Sequence, residues 1–426
     1  MSAATIRLRR VGAALGRAAG SPAARVAAGN GVGAGLGFVV LALLTRGLGA
    51  EGYGRLAPAL AVMDLGQLLV DTVLAAGVVT VAAQTGPAER AGALKTGFWM
   101  RAAGGLCFAL AVWIGAPSLA QALDLGPEGA GALRLAGWAG ALLVISTAAI
   151  GGMQVQERFT AVALAAAAKN ALRVGLLAPA FYYASPSPAA AMELLAAAAA
   201  LAAAAALLFA RPAYLAAPGL DRAAASRMFA INRWMALAAV AVVSGRVDVL
   251  LLGWLSTPEQ TAFYAASAQL CIVVGVVSQA LVTTALPRVA RFAGRDEMRA
   301  FLAVWARRAP IALAPVLALP LLSPWLAPLL LGDGFAGAAS ALNLLFASSM
   351  IALVMNPVML ILFPLGAQRM FGLAAFAQVA IKTALAVAAI PAYGAAGVAA
   401  ADVATKLAVV VVILLALRRR LRDAPA

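Results

Sequence analysis

At 426 residues, with 64% hydrophobic and only 11% charged positions and a mean hydropathy of +0.96, the chain falls outside the range of soluble globular domains and reads as an integral membrane protein. The formal charge of +16 raises the question of nucleic acid, but the basic residues collect on one side of the expected spans. That is a topology signal, and no nucleic-acid partner is expected. Histidine is absent and Cys107 and Cys271 lie in separate apolar runs, so neither a metal, a disulfide nor a cofactor is expected.

Residues 1–28 carry Arg7, Arg9, Arg10, Arg17 and Arg25 with no compact apolar run and cleavage site, and read as a retained cytoplasmic basic arm. Runs of roughly 20 apolar residues, enough to cross a core of about 30 Å, follow at 29–46, 55–83, 96–116, 133–152, 161–184 and 188–210. After a basic cytoplasmic linker at 211–228 come 229–254, 260–287, 301–331, 339–363, 370–391 and 394–417, then a basic tail at 418–426. The expected fold is an all-α polytopic membrane protein with twelve transmembrane helices in two lobes, 29–210 and 229–417. With both termini inside, Arg46, Arg55 and Arg134 fall outside. Lys169, Arg173, Arg246, Lys382 and Lys406 fall within the membrane. The rest of the 32 basic residues, Arg101 among them, lie on the cytoplasmic side. No loop is long enough for a folded catalytic domain, so glycosyltransferase, polymerase and ligase readings are disfavoured and the protein is expected not to be an enzyme.

The first span carries Gly29, Gly31, Gly33, Gly35 and Gly37 without the preceding strand or the G-x-G-x-x-G spacing of a phosphate loop. Gly29, Gly33 and Gly37, four residues apart, instead permit close helix packing. The second span sets Asp64, Gln67 and Asp71 on one face. A carboxylate there costs roughly 2.5 to 3.5 kcal/mol, so the stripe faces protein or a wet cavity. Pairing with a cation on another helix, proton coupling and substrate handling all remain open for it.

In the fifth span the words Lys169-Asn170-Ala171-Leu172-Arg173-Val174 recur, half the chain later, as Lys382-Thr383-Ala384-Leu385-Ala386-Val387 in the eleventh. Lys169 lies about 13 Å into its span at 1.5 Å per residue, too deep to reach an interface easily. Arg173 shares its face. No acid stands within reach of Lys169, Arg173 or Lys382 on its own helix, which favours an anion-binding cavity. Lys406 has Asp402 four residues before it, an intrahelical pair. Arg246 and Asp248, two apart in the seventh span, point to different faces and are expected to meet separate partners; Asp248 joins Asp64 and Asp71 as a candidate structural or proton-coupling carboxylate. The repeat extends to Trp99-Met100-Arg101-Ala102 with Trp305-Ala306-Arg307-Arg308, and to Leu125-Gly126 with Leu331-Gly332. Six spans per copy give parallel repeats, with binding expected in a central cavity.

Arg46-Gly47-Leu48-Gly49-Ala50-Glu51-Gly52-Tyr53-Gly54 resembles the R-x-L-G-x-x-x-Y-G signature of polysaccharide and O-antigen flippases. Arg246 to Gly253 is similar to that family's R-x-D-x-x-L-L-G helix. The Glu259 to Tyr264 turn with Ala265, Ala266 and Pro287, and Tyr393-Gly394-Ala395-Ala396-Gly397, continue the likeness. The resemblance implies the multidrug/oligosaccharidyl-lipid/polysaccharide exporter fold in a bacterial inner membrane. It implies translocation of an undecaprenyl-diphosphate-linked glycan by alternating access, with membrane lipids, a polysaccharide polymerase and glycosyltransferases as further partners. Related lipid flippases carry cavity arginines in the first span. This chain has none there, so Lys169, Arg173, Arg246 and Lys382 are the expected substrate-binding cations. The rival on the same fold, a cation-coupled drug or metabolite antiporter, calls for an acidic cavity, whereas the repeated mid-membrane word is basic.

Overall fold

A computed structural model describes residues 22–289, 292, 294–362 and 368–423. Most of the basic arm, including Arg7, Arg9, Arg10 and Arg17, lies outside the described residues, as does the end of the tail. Among the described residues the chain is helical throughout, with turns and three short 3-10 segments between helices. The order is α1 Pro22–Gln84, α2 Pro87–Ala122, α3 Gly129–Val155, α4 Phe159–Tyr183, α5 Pro188–Ala210 and α6 Arg222–Leu255. It continues with α7 Pro258–Leu270, α8 Ile272–Val289, α9 Arg295–Leu317, α10 Leu319–Leu331, α11 Ala339–Met359 and α12 Gln368–Asp423.

The twelve expected spans map onto these helices in a particular way. α1 holds two of them, broken at Gly49 (φ 69°), and α12 holds two, broken at Gly394 (φ 52°). Both breaks use a backbone conformation open to glycine and costly for other residues. The eighth and ninth spans, expected as single runs, are each assembled from two helices, α7 with α8 across Cys271 and α9 with α10 across Ala318. Several starts follow a capping rule: Ser187 and Thr257 accept from the N–H groups of Ala190 and Gln260, with proline in the first turn of α5 and α7. The same proline logic starts α2 at Pro87, earlier than the expected 96. Among the described residues eight helices are long and apolar enough to cross a membrane, and the protein is a multi-pass membrane protein.

The helices form two compact units. The first comprises the described residues up to Leu43, Val62–Ala116 and Ala130–Ala236. The glycine face of α1 packs on α4 here: a side chain at Gly29 would strike Ala163, one at Gly33 would crowd the carbonyl of Ala166, and Asn170 donates to Gly33 O at 2.7 Å. The linker after α5 is strapped to the same unit. Tyr214 is buried beside Ala82, Leu94, Phe98 and Ala148. Lys95 donates to Ala217 O at 2.6 Å, and the N–H of Asp221 donates to Thr96 Oγ1 at 2.8 Å. Burial pushes the Tyr214 phenol up to about 12 against the opposing pull of Arg101. Arg158 donates to the carbonyls of Phe209 and Ala210, which α5 leaves open at its C-terminus.

The second unit comprises Leu44–Ala61, Pro117–Gly129 and the chain from Leu237 onward. Its core includes Val289, Met298, Val358, Ile361, Ile413 and Leu417. The repeated words Leu125-Gly126 and Leu331-Gly332 both turn on a positive-φ glycine, at 72° and 104°. This is the conformational counterpart of the sequence repeat.

Candidate functional site

In the first unit, charged and polar residues of four helices make up the candidate site, and of the charged ones Lys169 lines its cavity. Asp64 and Asp71 come from the second rod of α1, Arg101 from α2, Thr147 from α3, and Lys169, Asn170 and Arg173 from α4. Arg101, counted among the cytoplasmic cations at the opening of its span, is 3% exposed and pairs with Asp71. Its guanidinium also donates to Thr147 Oγ1 at 2.9 Å, and that hydroxyl lies 2.9 Å from Asp71 Oδ1. The partner of Asp71 is therefore an arginine on the next helix, α2.

Lys169 lines a cavity of about 260 Å³ together with Asn30, Gly33, Ser146, Thr147 and Asn170. Arg173, Asp64 and Asp71 are the charges that bear on it. Arg173 is half-buried and donates to Asn170 Oδ1 at 3.4 Å, with its Nε buried and unpartnered among the described residues. The cavity is at the small end of ligand pockets. With a lysine in its wall and the nearby Asp71 already engaged, its chemistry suits a compact anion better than a cation.

In the second unit Lys382 is 4% exposed and donates to Asp248 Oδ2 at 2.7 Å and to Ser244 Oγ at 3.3 Å. Tyr264 donates to the same carboxylate oxygen at 2.7 Å, while Asp248 Oδ1 is buried without a partner among the described residues. Two candidates of opposite sign, Asp248 and Lys382, are thus brought together across α6 and α12. Arg246 is half-buried on α6. Asp402 and Lys406 pair at 2.9 Å within α12, and Ser348 of α11 joins both: Lys406 donates to its Oγ at 2.6 Å, and the hydroxyl donates to Asp402. The two clusters are neighbours, since Asp402 bears electrostatically on Asp248 and Lys382 on Asp402.

Arg101, Thr147, Tyr264, Ser244 and Ser348 were not among the expected site residues. For Arg101 a signal existed, since it lies inside a repeated word. The hydroxyls carry no such signal, because a serine or tyrosine in an apolar run looks the same whether or not it meets a charge.

The fold matches solved structures along nearly the whole chain. The lipid II flippase MurJ, in an inward closed conformation, matches with a TM-score of 0.74 at 11% identity over 91% of this chain and 86% of that one. An inward-facing multidrug resistance MATE family transporter of the MOP superfamily matches at 0.72 and 14% identity, over 90% and 94%. A eukaryotic MATE transporter matches at 0.57 and 14%, over 94% and 97%. The protein therefore has the MOP-type exporter fold. A family described as polysaccharide biosynthesis protein matches residues 23–293, and the chain belongs to that family. A search of curated proteins found no match.

Proposed function

We propose that the protein is a flippase that carries a polyprenyl-diphosphate-linked oligosaccharide from the cytoplasmic to the opposite leaflet of a bacterial inner membrane, by alternating access, for surface polysaccharide synthesis. The observation that carries this reading is the Lys169 cavity: a cation beside amide and hydroxyl groups in the wall of a pocket, at membrane depth, in a chain of the polysaccharide family. Buried charge of this kind needs an anion, and a diphosphate supplies one while its lipid tail stays in the bilayer.

Lys169 and Arg173 are the first ligands of that diphosphate in this scheme. Lys382 can reach an anion only by leaving Asp248, and breaking a buried pair costs about 3–5 kcal/mol, so it and Arg246 engage later in the cycle. Both termini are cytoplasmic, the lobes run over 29–210 and 229–417, and glycosyltransferases and a polymerase act before and after the flip.

The test is a leaflet assay for lipid-linked glycan in cells producing the protein at normal levels. Loss of the protein is expected to strand the glycan on the cytoplasmic side, and the Lys169→Ala/Arg173→Ala variant to do the same. Full export by that variant would remove the cavity assignment, and no stranding in its absence would remove the flippase reading.

A further inference from the structure

Two words recur in both halves of the chain, and the two units put them in opposite states. Arg101, in Trp99-Met100-Arg101-Ala102, is buried against Asp71, whereas Arg307, its counterpart in Trp305-Ala306-Arg307-Arg308, is exposed. Lys169 lines a cavity and makes no close ion pair among the described residues, whereas its counterpart Lys382 is sealed against Asp248 at 2.7 Å. Where the arginine is buried the lysine is open, and where the arginine is exposed the lysine is closed.

In the first unit the two words are joined through Thr147. This residue lines the Lys169 cavity, its Oγ1 accepts from Arg101 at 2.9 Å and lies 2.9 Å from Asp71 Oδ1, and its backbone carbonyl accepts from Arg101 at 3.3 Å. Asp71 thus stands one side chain behind the cavity wall, and it bears electrostatically on Lys169. At low dielectric a carboxylate and an ammonium so placed attract one another strongly. A lysine that has closed on an acid has little left for an anion, as Lys382 shows. Arg101 offers Asp71 a partner of another shape. Its planar guanidinium engages the carboxylate together with the hydroxyl and carbonyl of Thr147, a fork that a single ammonium does not reproduce. The other charges here are Asp64 and Arg173, and Asp64 bears on Lys169 and Arg173 alike. Across the five groups the cations exceed the carboxylates by one, and Arg101 supplies that excess.

We propose that Arg101 sets the sign of the Lys169 cavity: by holding Asp71 it keeps that carboxylate off Lys169, and so makes the site one for the phosphate of an anionic lipid rather than for an organic cation. The proposal deepens the cavity assignment above and rests on it. Arg101 touches no cargo in this scheme; it is a positioning residue that acts through Asp71. Specificity of this kind comes from withholding an interaction as much as from making one. With Asp71 released, Lys169 is neutralised and the excess of positive charge is gone.

The test measures retention of farnesyl diphosphate and of tetraphenylphosphonium by the purified full-length protein, and reads the ratio of the two. Arg101→Met is expected to lower that ratio roughly 10- to 100-fold, the worth of a hydrogen bond to a charged group. Arg101→Met/Asp71→Asn is expected to restore most of it, since the second substitution removes the carboxylate that the first set loose. A merely structural role for Arg101 lowers both probes together and leaves the ratio unchanged; that result overturns the proposal, as does a ratio that stays low in the double variant. Asp71→Asn alone keeps Arg101 and serves as the second variant should Arg101→Met fail to accumulate. It is expected to hold farnesyl diphosphate at least as tightly as the parent, and weaker binding overturns the proposal. A parent that holds no farnesyl diphosphate removes the diphosphate reading. Tetraphenylphosphonium retention that rises with Arg101→Met and falls back on adding Asp71→Asn then still upholds the sign-setting role, and retention unchanged by both overturns it.

Discussion

Lys169 and Lys382 occupy the same word of a repeated sequence, yet the two units treat them differently. In the first unit Lys169 lines a cavity with amide and hydroxyl companions. In the second, Lys382 is sealed against Asp248 with Tyr264 on the same oxygen. The repeat conserves where a cation enters the membrane, and the neighbouring helices decide whether it stays available. α6 offers an acid to α12 in the second unit; in the first, Arg101 pairs with Asp71. The largest expected effect on stability follows from this contrast. Asp248→Ala leaves an ammonium at 4% exposure without its partner, and should destabilise the protein by about 3–5 kcal/mol. The Asp248→Leu/Lys382→Met double variant should recover most of that loss. Thermal unfolding of the purified protein in detergent checks both, and single and double variants of equal stability would break the comparison.

The first unit's pair should respond less. The side chains of Arg101 and Asp71 are 4% and 22% exposed, so an Asp71 left alone by Arg101→Met keeps partial access to water. A loss of about 1–3 kcal/mol is expected, the range for an unsatisfied buried group, read by the same unfolding measurement. Lys169→Gln sharpens the contrast from the other side. It breaks no close ion pair among the described residues, although Asp64 and Asp71 bear on Lys169, so it should cost clearly less stability than Asp248→Ala. Glycan binding should nonetheless weaken by roughly 1.5–3 kcal/mol, the worth of a hydrogen bond to a charged group, measured as retention of lipid-linked glycan by the purified variant. Equal stability losses for Lys169→Gln and Asp248→Ala would erase the distinction between the two lysines.

The fold was legible because its signals are local. Apolar runs of bilayer length and glycines at forced turns, as at Gly49 and Gly394, act over a few residues. Arg101 was counted as a cytoplasmic cation because an arginine near the opening of a span reads as a topology signal, and its partner Asp71 lies 30 residues away. The site was less legible because its partners are distant in sequence. Asking whether an acid lies three or four residues away finds Asp402 beside Lys406 and overlooks Asp248 beside Lys382, since that contact spans 134 residues. Which lysine faces a cavity depends on what the adjoining helices present, and no periodicity within one helix encodes that.

The smallest expected effect lies inside the signature word itself. Glu51 pairs with Arg55 one helical turn on at 2.7 Å, with side chains 63% and 51% exposed. An exposed i,i+4 pair is worth about 0.3–0.5 kcal/mol and is screened by salt. Glu51→Gln should therefore shift unfolding by a few tenths of a kcal/mol at most and leave export unchanged. Gly54, three residues away, tolerates no side chain because the Pro258 backbone occupies the space. If the signature word acts through packing, these two substitutions separate cleanly: the charge is dispensable and the glycine is not. An export defect in Glu51→Gln equal to that of Gly54→Val would instead show that the word works through its charge, and the contrast between close packing and charged clusters would have to be redrawn.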